Sequence, residues 1–247
     1  YPGRARNGEE VRADISKAMS LIPGTQRCNV HALYCETDAY VDRDAMTPAG
    51  FQKWMDWAKA KGICLDFNPS FFAHPKAEDG FTLSNRDEET RAFWVRHGKV
   101  TRKIAEAMAD AQGSPCYVNW WTPDGSKDIP ADRFGPRARM VKSYDEIMAD
   151  DSVDSTKCVD FIESKLFGIG SEEYVVSSGE FCSDYAISRG MGLCMDMGHF
   201  HPTEVISDKI SSALLFVPEI LLHVSRGVRW DSDHVVTLTD ELQAIMQ

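Results

Sequence analysis

Short apolar runs of strand length alternate along the chain with longer stretches whose apolar residues recur at helical spacing. The first pattern predicts buried strands and the second amphipathic helices. Their regular alternation is the signature of repeated βα units around a parallel sheet. Six runs stand out: NVHALYC around Val30, ICLDFNPS around Leu65, CYVNWWTP around Val118, CVDFIESK around Phe161, LCMDMGHF around Met195 and ILLHVSRGVRW around His223. Nearly all of them end in polar residues. Between them, one helix is expected from Pro48 after Thr47, with Phe51, Trp54, Met55 and Ala58 as its apolar stripe. A longer one opening at Ser84 keeps Phe93, His97, Ile104 and Met108 at helical spacing until Gly113 stops it. A third, over 202–216, puts Ile206, Ile210, Ala213, Leu214 and Val217 on one side before Pro218. The sequence has no internal repeat and no low-complexity tract.

Length fits this picture: 247 residues, 43% of them hydrophobic, are enough for one α/β barrel, so residues 1–247 are expected to form a single domain. The formal charge of −11 disfavours nucleic acid and anionic membrane surfaces as partners. Seven scattered cysteines with no CxxC pair fit reduced thiols in a cytoplasm. No apolar stretch reaches membrane-spanning length, and YPGRARNGEE has no apolar core of a secretory signal. The chain starts at Tyr1 rather than Met and stops at Gln247 within DELQAIMQ, a helical pattern still running, so both ends are expected to be cuts.

In a parallel βα barrel, chemistry sits at the carboxyl ends of the strands. The fourth run ends Glu163-Ser164-Lys165, and alternation puts Glu163 and Lys165 on one face. The fifth ends Asp196-Met197-Gly198-His199, offering a carboxylate and an imidazole three residues apart. The sixth supplies His223, and beyond it Asp231 and Asp233 are separated by one residue, so that alternation lets both face one ion. Any one of these is more often a satisfied core group or a solvated turn. Together, Glu163, Asp196, His199, His223, Asp231 and Asp233 converge in a barrel and would repel without a cation. Oxygen-rich ligation with one imidazole per ion suits Mn2+, two per subunit, with Mg2+, Co2+ or Zn2+ as other occupants.

Three segments carry a resemblance: IESKLFGIG from Ile162, LCMDMGHFHPTEVISDKIS from Leu193 and LLHVSRGVRWDSDHVV from Leu221. They resemble the hallmarks of the L-rhamnose isomerases, and YPGRARN, LDFNPSFFAHP and DGFTLS extend the similarity over the whole chain. The resemblance implies a (β/α)8 TIM barrel, here six of the eight strands with the first and last missing. It also implies a metal-dependent aldose-ketose isomerase that interconverts L-rhamnose and L-rhamnulose by a hydride shift between C2 and C1. By the same resemblance, Glu163, Asp196 and His223 hold a structural ion, completed by an aspartate beyond Gln247. Asp196, shared between the two, joins His199, Asp231 and Asp233 around a catalytic ion. Lys165 is implied to hydrogen-bond the substrate O1, its other reading being an ion-pair partner for Glu163. His74 is implied to assist ring opening as a general base, and Trp121 to form a pocket wall, while Trp120 reads as core. Homotetrameric assembly is borrowed from the family. Gly227 departs from its pattern, standing where proline is usual. The competing readings are a related sugar isomerase or epimerase of different specificity, and a catalytically silent metal-binding fragment.

Overall fold

Strands and helices alternate as the hydrophobic pattern predicts. The computed structural model describes residues 3–167, 170–228 and 230–247, the side chain of Trp230 excepted. Tyr1 and Pro2 of YPGRARN, Gly168 and Ile169 of IESKLFGIG, and Arg229 lie outside the described residues. In chain order the elements are α1 (Gly8–Met19), β1 (Arg27–His31), α2 (Gln52–Lys61), β2 (Cys64–Asn68), α3 (Glu88–Gln112), β3 (Cys116–Trp121), β4 (Gly125–Ser126), α4 (Phe134–Met148), β5 (Cys158–Glu163), β6 (Tyr174–Val175), α5 (Gly179–Arg189), β7 (Gly192–Asp196), α6 (Ser207–Ala213), β8 (Ile220–His223), β9 (Arg226–Val228), β10 (Trp230–His234) and α7 (Asp240–Met246). All six expected strand runs are present, and they form one sheet in the order β1-β2-β3-β5-β7-β8. The pairings β1–β2, β2–β3, β5–β7 and β7–β8 are parallel. Strands that neighbour each other in chain order, with helices between, have the winding of a (β/α)8 barrel, of which six strands are present. β9 and β10 form an antiparallel ribbon, and β4 pairs with β6.

The helices show which local signals prevail. Asn7 caps α1 by accepting from the Glu10 N–H at 2.9 Å, and Glu10 reaches back to the Arg6 N–H. Phe51, Trp54, Met55 and Ala58 form the buried stripe expected of α2, although Pro48–Phe51 is a 3-10 turn and the α-helix starts at Gln52. Gly62 ends it at φ 68°, a left-handed conformation that favours glycine. The longer helix differs from expectation at its start. Ser84 is fully buried with its N–H and Oγ both donated to Asp124, so it cannot cap; Asp87 does so instead, accepting from the Thr90 N–H at 2.8 Å. Phe93, His97, Ile104 and Met108 are buried along it, and Gly113 closes it at φ 65°.

The third expected helix is shorter than 202–216. Only Ser207–Ala213 is α-helical, because the Glu241 carboxylate accepts the Ser207 N–H and Oγ–H at 2.9 and 2.8 Å and fixes the start there. Ile206 and Val217 are buried, but Leu214 is exposed, so the predicted stripe is broken. Among the described residues no helix is long and apolar enough to cross a membrane.

The chain divides into two compact units, 1–69 with 97–118 and 151–159, and 70–96 with 119–150 and 160–247. In the first, Arg27 of β1 holds Asp66 of β2 in a two-pronged ion pair at 2.7 and 2.8 Å, and Asp66 also accepts the Tyr117 N–H of β3. Val30, Leu65, Phe67 and Val118 fill its core. In the second, Trp120 is core, as the sequence suggests: it is fully buried, stacked on Phe71, with its Nε1–H donated to Asp160 at 2.8 Å. Every candidate site residue belongs to this second unit.

Candidate metal centre at the strand ends

Glu163, Asp196 and His223 are the last residues of β5, β7 and β8. Parallel register sets Glu163 opposite Cys194 and Asp196 opposite His223, which gathers their side chains at one level of the sheet. His223 Nδ1 lies 3.1 Å from Glu163 Oε1 and 3.3 Å from Asp196 Oδ2. His199 follows β7 by one tight turn, its N–H bonded to the Asp196 carbonyl. Its ring lies between carboxylates, Nε2 3.0 Å from Asp231 Oδ2 and Nδ1 3.1 Å from Glu163 Oε1. Among the described residues, two groups could hold a metal ion: Glu163, Asp196 and His199, and Glu163, Cys194 and His223. Glu163, as well as Asp196, thus stands between the two imidazoles.

Lys165, 6% exposed, ends 2.8 Å from Asp231 Oδ2, so its ion-pair partner is Asp231 rather than Glu163. Its ammonium also sits 5.3 Å from the centroid of Trp121, whose indole stacks beside His199 and meets Phe72 edge-on. Asp231 and Asp233 do not simply alternate along β10. The β9–β10 register is irregular between Trp230 and His234, and Asp233 takes φ 47°, a left-handed conformation that aspartate tolerates better than most residues. Asp233 is exposed, yet close enough to feel Asp231, Asp196, His199 and Lys165. His74 packs its ring on Phe93 and Trp94, and its Nδ1 accepts the Lys76 N–H at 3.1 Å. It lines a cavity of about 420 Å3 with Phe72, Glu78, Thr82 and Asp124.

Burial opposes every charge here, and the pairing overcomes it. Despite that burial, His199 and His223 bring the Glu163 carboxyl down to about 2, and His199 and Lys165 do the same for Asp231. Asp231 and Glu163 in turn raise His199 to about 9, while Asp196, Cys194 and Glu163 raise His223. In Asp233, burial and the neighbouring Asp231 charge push the carboxyl up. Without a cation both imidazoles are therefore protonated. A group whose pKa is raised on folding contributes stability below its unfolded value, near 6.5 for histidine, and loses it as pH climbs through the folded value. Chelator-treated protein should accordingly melt at progressively lower temperature as pH rises from about 6.5 to about 9. A flat or rising melting profile over that window would contradict the pairing.

The donors suit a divalent cation. Among the described residues, His199 Nδ1 and Asp231 Oδ1 are buried atoms with no hydrogen-bond partner, Nδ1 lying off the direction of a bond to Glu163. With neutral imidazoles, four carboxylates face one lysine. Two residues here escaped the sequence reading. Asn119 donates its side-chain N–H to Glu163 Oε2 at 2.5 Å and so fixes that carboxylate. Gly198 donates its N–H to Asp196 Oδ1, and a Cβ on it would lie 2.4 Å from Asp231 Oδ1. That oxygen cannot swing away cheaply, because its partner Oδ2 is held by Lys165 and His199. Gly198→Ala should weaken divalent-metal binding about 10- to 100-fold, measured by calorimetry. Unaltered affinity would show that Asp231 yields freely.

A partial (β/α)8 barrel with acids and imidazoles gathered at its strand ends is the class of protein that this fold and site define. The description of the L-rhamnose isomerase (RhaA) family matches residues 1–247, and the chain belongs to that family. It is 58% identical over 247 residues to the L-rhamnose isomerase of Rhodopirellula baltica and 55% identical over 245 residues to that of Klebsiella pneumoniae. These matches take in 100% and 99% of this chain, which spans 58% of the length of each relative. In fold it is similar to D-psicose 3-epimerase from Clostridium cellulolyticum H10, with TM-score 0.60, 13% identity and coverage of 94% of this chain and 84% of the other. It is also similar to an L-ribulose 3-epimerase, with TM-score 0.59, 12% identity and coverage of 89% and 66%.

Proposed function

We propose that the protein interconverts L-rhamnose and L-rhamnulose at the centre formed by Glu163, Asp196, His199, His223, Asp231 and Asp233. The observation that carries this reading is the approach of Glu163, Asp196, His199 and His223 at and just past the ends of β5, β7 and β8, with Asp231 of β10 against His199, in a chain that belongs to the L-rhamnose isomerase family. Glu163, Asp196 and His223 would hold one ion, and Asp196, His199, Asp231 and Asp233 the other. Mn2+ is the resident cation we assign, since carboxylates with one imidazole per ion suit it. When bound, the ions would supply Lewis acidity toward the sugar oxygens.

The remaining work falls to side chains. Lys165, a buried cation already aimed at Asp231, would donate to the substrate O1 as negative charge develops there. Trp121 would cover one face of the sugar and keep water from C1 and C2. Asp233 would help relay the proton from O2 to O1 while hydride passes from C2 to C1. His74, on the wall of the cavity next to Phe72, would assist ring opening. Its Nδ1 accepts the Lys76 N–H, which fixes the orientation of the ring. We further place the protein in the cytoplasm, as a homotetramer acting on a small sugar.

Replacing Lys165 by methionine tests the proposed role of its charge. It should lower kcat for L-rhamnose at least about 100-fold while metal affinity falls far less. A variant with near-normal kcat would remove Lys165 from the reaction.

A further inference from the structure

One donor beside Glu163 takes no part in the proposed reaction. Cys194 lies two residues before Asp196 on β7, so strand alternation turns both side chains to the same face, with the thiol one layer deeper. It is 1% exposed and sits in register opposite Glu163 of β5. Its Sγ, a Glu163 carboxylate oxygen and a His223 ring nitrogen all lie within 4.8 Å of one another. Asp196 Oδ2 is 3.3 Å from His223 Nδ1, which places a fourth donor at the edge of the same group.

Sulfur changes what such a group prefers. A set of carboxylates and imidazole suits Mn2+ or Mg2+, whereas a thiolate selects Zn2+, Cd2+ and, less strongly, Co2+. We propose that Glu163, Cys194 and His223, with Asp196, form a thiophilic metal site that overlaps the structural-ion position, so that Cys194 decides which cations the protein retains. The proposal rests on the metal-centre reading above. On binding, the Cys194 proton leaves to solvent and Sγ becomes the ligand; nothing is oxidised. Hard ions would use the carboxylates and leave the thiol protonated. Thiophilic ions would be drawn one layer deeper and held more tightly, displacing the cation that the isomerase reaction needs.

Cys182 provides a built-in control. It is equally buried and near Glu163, but its Sγ hydrogen-bonds to the Glu163 carbonyl at 3.4 Å, and it belongs to neither metal-holding group.

The test is spectroscopic. Chelator-treated protein is titrated with Co2+ and with Cd2+ while the near-ultraviolet thiolate-to-metal charge-transfer band is recorded, and Mn2+ affinity is measured separately by calorimetry. Wild type and Cys182→Ser should both show the band. Cys194→Ser and Cys194→Ala should lack it and bind Cd2+ about 10- to 100-fold more weakly, with Mn2+ affinity unchanged. A band that persists in both Cys194 variants, that disappears in Cys182→Ser, or that is absent from wild type which still binds Mn2+, overturns the proposal and leaves the metal-centre reading in place. Wild type that binds none of the three ions overturns both.

Discussion

Asp231→Asn should lower turnover of L-rhamnose at least about 1000-fold, equivalent to about 4 kcal/mol of lost transition-state stabilisation. The change is nearly isosteric, so the size of the effect comes from charge. Asp231 Oδ2 meets both Lys165 Nζ at 2.8 Å and His199 Nε2 at 3.0 Å, and those cations hold its carboxyl near 2. An amide cannot answer either of them. Lys165 would be left as a buried, uncompensated ammonium free to turn away from the position where O1 is expected, and the second ion would lose an anionic ligand. Circular dichroism should still report a folded protein, because the sheet pairings do not involve this side chain. Turnover within tenfold of wild type would remove Asp231 from the centre.

Glu163→Gln should have the second largest effect, with metal affinity rather than chemistry as the first casualty. Glu163 is 2% exposed, lies 3.1 Å from a ring nitrogen of each imidazole and accepts from Asn119. Removing its charge takes away the nearer of the two carboxylates that His199 and His223 share, so both ions should bind at least about 100-fold more weakly. The metal-free variant should also show a shallower fall in melting temperature with rising pH than wild type, since Glu163 is one of the carboxylates that hold each imidazolium, beside Asp231 for His199 and Asp196 for His223. Tight binding of two ions by Glu163→Gln would show that Asp196 alone bridges the centre.

Much of this site can be read from the sequence because a parallel sheet places its polar strand ends together. Glu163, Asp196 and His223 each terminate an apolar run, and register then brings them to one level. What the sequence hides depends on approach between distant segments. Gly198 reads as an ordinary turn residue until Asp231 is seen against it, and Asn119 reads as a strand residue until its bond to Glu163 is known. Alternation places Asp231 and Asp233 on one face, but the irregular ribbon register and the left-handed Asp233 give a different local geometry. The helix starts misread at Ser84 and Pro202 fail for the same reason. A buried aspartate across the fold, Asp124, claims Ser84, and a carboxylate from α7, Glu241, caps Ser207. Helix α5 is also faint in sequence, because it buries only Cys182, Tyr185 and Ala186.

The central claim is tested most directly by measuring ketose formation from L-rhamnose by chelator-treated protein, with and without added Mn2+. Turnover should be absent after chelation, return with Mn2+, and be abolished again in Asp231→Asn. Turnover that survives chelation, or that Asp231→Asn leaves intact, would contradict the claim.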